Sequence, residues 1–198
     1  MEKYLKDEFS RIASKQQLDP SAWPGGRIID DLVSKSSGQF VYASTIIKFV
    51  GDEYNSATSQ LDIVMGLKSS DGESPFAELD VLYMEILIRQ HHQKFLKDIL
   101  AVLVARSAIV SDEDLGKDDA LLLDISKHEL RRKLRGMHSV LKFEPYIDIH
   151  HLSFLDFLQG PSRSHQYHIG KQGGAKRYLE LITSALVRYA SKLMKDPD

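Results

Sequence analysis

Cysteine is absent from this chain, so neither a disulfide framework nor a thiol nucleophile can operate in it. A cysteine-free composition fits an intracellular protein, and a cytoplasmic location is expected. No apolar run reaches the roughly 18 residues that a membrane-spanning helix requires. The opening residues, Met1-Glu2-Lys3-Tyr4-Leu5-Lys6-Asp7-Glu8, are charged and do not read as a secretory signal. Neither sign of charge dominates. The formal net charge of −2 argues against a generic nucleic-acid binder while leaving room for a local basic patch. No internal period suggests a repeat array.

A phosphate-binding loop is missing as well. The nearest candidate, Gly170-Lys171-Gln172-Gly173-Gly174-Ala175-Lys176, has no second glycine just before its lysine and no hydroxyl residue just after it. It reads as a flexible linker. The chain alone is therefore expected not to hydrolyse ATP or GTP and to be no enzyme. The histidine pairs His91-His92, His150-His151 and His165/His168 have no cysteine or carboxylate at ligand spacing. They read as surface or packing histidines, and neither a metal nor a cofactor of the chain's own is expected.

What is present is an ordinary globular composition, 42% hydrophobic and 27% charged over 198 residues. That length suits one large domain or two small ones. The chain opens inside a helical pattern and stops just after another, which reads as a fragment or excised module. Leu5, Phe9 and Ile12 put one apolar face on a helix over 2–16. Leu18 to Gly26 is a connection rich in breakers, and Trp23 in it reads as a packing anchor. Ile28, Ile29, Leu32 and Val33 make a helix that Gly38 ends. Phe40, Ala43, Ile46, Ile47 and Val50 make the next, as one apolar face. Gly51 to Gln60 reads as a loop, and Leu61, Val64 and Leu67 as a short helix. The polar stretch Ser69 to Glu73 is the best candidate boundary.

Ser74-Pro75 starts a helix by cap and first-turn proline, and Leu79, Leu82, Tyr83, Ile86 and Leu87 give it an inner face. A helix over 93–106 follows, with Phe95, Ile99, Leu100 and Leu103. Ser111 caps a short acidic helix holding Leu115, and Leu121 to Ile125 is a buried turn or short helix. Ser126 and Glu129 form a capping box for a helix over 126–142 that carries Leu130, Leu134, Met137 and Leu141. Leu141-Lys142-Phe143 and Tyr146-Ile147-Asp148-Ile149 alternate around Glu144-Pro145 as a two-stranded hairpin. Three helices and then a hairpin is the order of a winged helix. Ser153 and Asp156 form a second capping box, Phe154, Phe157 and Leu158 face inward, and Gly160-Pro161 stops that helix. Ser162 to Gly174 reads as polar and flexible. A last helix over 175–194 puts Ala175, Tyr178, Leu179, Ile182, Leu186, Tyr189 and Leu193 on a face that must dock on something, in this chain or beyond it. The expected fold is thus mainly α: a helical domain, a winged-helix domain with one short hairpin, and a C-terminal helix.

Two candidate sites emerge. The outer face of the 126–142 helix is basic, with Lys127, Arg131, Arg132, Arg135 and Lys142. In a winged helix it could enter a major groove, with Arg131, Arg132 and Arg135 as the contacts. The other reading is a solvated or protein-binding face, and Glu144 at the hairpin tip favours it. The second candidate is His151, which lies where a strand passes into a helix, next to N–H groups that favour anions. Its parity with Ile147 and Ile149 also allows a buried histidine that ties strand to helix by a hydrogen bond.

Four segments carry a family resemblance. Residues Ser36-Ser37-Gly38-Gln39-Phe40-Val41-Tyr42-Ala43-Ser44-Thr45-Ile46-Ile47-Lys48-Phe49-Val50 resemble the "SSGxFxYASTxIKFV" segment of fungal NACHT-type STAND NTPases, which are NLR-like proteins. Ser74-Pro75-Phe76-Ala77-Glu78-Leu79-Asp80-Val81-Leu82-Tyr83 is similar to their "SPFxxLDxLY" helix. Leu134-Arg135-Gly136-Met137-His138-Ser139-Val140-Leu141 is similar to "LRGLHSVL", and His150-His151-Leu152-Ser153-Phe154-Leu155-Asp156-Phe157-Leu158 to "HHxSFxDFL".

The resemblance implies that 1–19 end a truncated nucleotide-binding domain and that 20–68 form a helical domain. Residues 74–160 would then form a winged-helix domain, and 161–198 a linker and the start of a following helical region. It also implies a regulatory rather than catalytic part. In such proteins the winged helix closes over bound ADP, and a histidine before "LSF" contacts the β-phosphate. That role would fall to His151. ADP or ATP would be bound only with a nucleotide-binding domain of the same or a related protein. The family's ATP-binding lysine and magnesium-binding carboxylates have no counterpart here. Protein partners are expected, nucleic acid and membrane are not. The alternatives are a DNA-binding winged helix and a stand-alone interaction scaffold that has lost the nucleotide role.

Overall fold

The computed structural model describes residues 1–68, 76–108, 119–144 and 146–195. The chain is mainly helical, with one short two-stranded antiparallel sheet and a long C-terminal helix. It divides into two compact units, Met1–Ile86 and Leu87–Asp198. The division lies inside a helix. The boundary expected at Ser69 to Glu73, the Ser74-Pro75 start, the Ser111-capped helix with Leu115, and Pro145 of the hairpin all lie outside the described residues.

In the first unit, α1 (Glu2–Lys15) buries Leu5, Phe9 and Ile12 at helical spacing, as expected. Trp23 meets Phe9 edge-on, with ring centroids 5.4 Å apart, so it is a packing anchor. Then α2 (Gly26–Ser36) buries Ile29 and Leu32. Its end passes through left-handed backbone at Ser37 (φ 45°) and Gly38 (φ 78°), which glycine adopts at little cost. In α3 (Phe40–Val50) the expected single apolar face is wrong. Tyr42 to Ile47, Phe49 and Val50 are all buried, while Phe40 is 52% exposed beside Tyr4. The helix is enclosed by α1, α2 and α4 (Ala57–Gly66), and a helix covered on several sides need not be amphipathic.

The loop before α4 is held by Gln16. Its Nε2 donates to the Asn55 carbonyl (3.0 Å), and its Oε1 accepts from the Ala57 N–H (2.7 Å). Then α5 (Ala77–Ile88) buries Leu79, Leu82, Tyr83, Ile86 and Leu87.

The second unit is built around α6 (Gln93–Ala108), which is buried from Ile99 to Ala105 without a break. It is followed by α7 (Asp119–Leu122), α8 (Lys127–Lys133) and a 3₁₀ turn over Arg135–Met137. Strands β1 (Leu141–Lys142) and β2 (Asp148–Ile149) pair antiparallel, Leu141 with Ile149 and Lys142 with Asp148. Then come α9 (Leu152–Gln159), α10 (Pro161–Ser164), a 3₁₀ turn over His165–Tyr167 and α11 (Lys171–Lys195).

Two expectations are corrected here. The helix begun by Ser126, whose hydroxyl accepts from the Glu129 N–H (3.1 Å), stops at Lys133 instead of running to 142. Gly136 lies in the turn that follows, where a Cβ would come within 2.7 Å of the Gln90 side chain. Residues 162–174 are structured rather than a free linker. Tyr167 and Ser164 are buried, and the Ile169 N–H and Ser164 hydroxyl donate to the Leu158 carbonyl. The loop-like 170–176 segment is mostly the first turn of α11. Gly174 lets that helix approach α6, because a Cβ there would meet Val104 at 3.0 Å and the Ala101 carbonyl at 3.2 Å.

Candidate functional site

His151 is held by what lies on either side of it. Upstream, β2 is tied down by a buried polar network. The Asp119 carboxylate accepts from the Arg106 guanidinium (2.8 Å) and from the Ile147 N–H (3.2 Å). The same guanidinium donates to the Ile147 carbonyl (3.2 Å). Asp119 is 3% exposed and Arg106 18%, so this ion pair is shielded from water. Downstream, α9 buries Phe154, Phe157 and Leu158, with the two phenyl rings stacked at 6.2 Å. A strand anchored by charge and a helix anchored by packing leave the joint little freedom.

At the joint the two histidines do different work. The His150 N–H donates to the Val140 carbonyl (2.9 Å), and its ring Nε2 lies 3.1 Å from the His138 carbonyl. A carbonyl only accepts, so Nε2 carries the proton. His151 is the residue before α9, with extended backbone at φ −141° and ψ 135°. Its ring centroid is 6.4 Å from that of His150. It is partly exposed, and Leu152 beside it is 72% exposed, so the junction opens to the surface. His150 makes a hydrogen-bonded tie of the kind expected of His151. The second capping box is also corrected. The helix begins at Leu152, so Ser153 lies in its first turn and the preceding position is His151.

The basic residues do not form one helical face. Arg131 and Arg132 are exposed on α8, and Arg135 is exposed in the 3₁₀ turn beyond its end. Arg131 pairs with Glu144 at 2.7 Å, and Lys133 lies over the Phe95 ring at 5.4 Å. At seven residues, α8 is only about 10 Å long. Among the described residues no group of three histidines, aspartates or glutamates converges as a metal site.

Chemically, the junction can present one imidazole where a helix directs its first N–H groups and its positive dipole end outward. That combination suits an anionic oxygen. Sequence reasoning missed His150 as the structural tie and the Asp119–Arg106 network. Arg106 and Ile147 are 41 residues apart in the chain, and no local pattern signals such a contact. No protein-family model, curated protein or solved structure matches the chain. No described helix is long and apolar enough to cross a membrane.

Proposed function

We propose that this chain is a non-catalytic regulatory segment of a NACHT-type signalling NTPase: a helical part and a winged-helix part that close over nucleotide held by a separate nucleotide-binding domain. Four segments resembling that family, in the family's order, support the reading. The observation that carries it is the position of His151, partly exposed and directly before the first turn of α9. There the imidazole and the helix end can address one phosphate together.

The nucleotide would supply the charge that is sensed, and this chain would supply His151 and the rigid joint that holds it. A hydrogen bond to a charged group contributes roughly 1.5–3 kcal/mol. That matches the roughly 1–3 kcal/mol of a typical coupling between sites, so one contact could bias closed over open. A DNA-binding role for Arg131, Arg132 and Arg135 has less support, because α8 is short and Arg131 is paired with Glu144.

The test uses a protein that joins this chain to its nucleotide-binding domain. His151→Leu should speed ADP release by roughly 10-fold or more, as the loss of such a bond implies. Unchanged ADP release from a folded variant would overturn the proposal.

A further inference from the structure

We draw no further inference here: the strongest candidate, the outward apolar face of α11 at Leu179, Leu186 and Leu193, is exposed, and nothing in the structure shows what covers it.

Discussion

At the residue scale, single side chains set the behaviour of larger pieces. Asp119 holds Arg106 and β2 together in a nearly dry setting. Asp119→Ala leaves a mostly buried guanidinium without its carboxylate, a change that typically costs about 3–5 kcal/mol. A urea titration should show that loss, and a shift below about 1 kcal/mol would mean that the network is not structural. Tyr42 is 2% exposed. Burial first, and then the Glu78 carboxylate, hold its phenol well above the ordinary tyrosine value of 10.0.

In the unfolded chain that tyrosine ionises near 10, while in the fold it stays neutral. Its contribution is therefore intact below pH 10 and is lost as the pH rises above it. Tyr42→Phe should flatten the decline in stability measured above pH 10. An identical alkaline decline in the two proteins would rule out Tyr42 as its source. His150 and His151 are neighbours of the same chemistry with different surroundings. The first ring donates to a backbone carbonyl, and the second is carried to the start of a helix.

At the element scale, helices behaved as their patterns predicted where one neighbour covers one face. They departed from the pattern where the neighbours are several. Leu5, Phe9 and Ile12 of α1 were legible because helical spacing alone places them together. The enclosure of α3 and the unbroken burial of α6 were not, since a residue on the polar side of a pattern is buried only if another helix covers it. The hairpin was legible from alternation, while the early end of α8 and the 3₁₀ turn after it were not.

The start of α11 offers a paired test. Gly173 has open space around a Cβ, so Gly173→Ala should stabilise the chain by about 0.5–1 kcal/mol through helix propensity. Gly174 faces α6, and Gly174→Leu should cost about 1–3 kcal/mol by overpacking against Val104 and the Ala101 carbonyl. Thermal melts of both variants check the contrast, and equal effects would refute the close approach.

At the scale of the whole molecule, each compact unit carries its own core, and in the second unit α11 contributes both to that core and to an outward apolar face.

By itself, the sequence determined the mainly helical class, the inward faces of α1, α5 and α9, the cap at Ser126 and the strand pairing after it. These depend on residues within a few positions of one another, where periodicity and capping chemistry act directly. Of the candidate site, it located the strand-to-helix joint and its histidines. Only the tertiary structure decided that the His150 ring meets the His138 carbonyl, that Asp119 and Arg106 anchor the chain at Ile147, and which apolar face of α11 is used. Each of those outcomes depends on groups far apart in the chain meeting in space, and local pattern carries no record of such meetings.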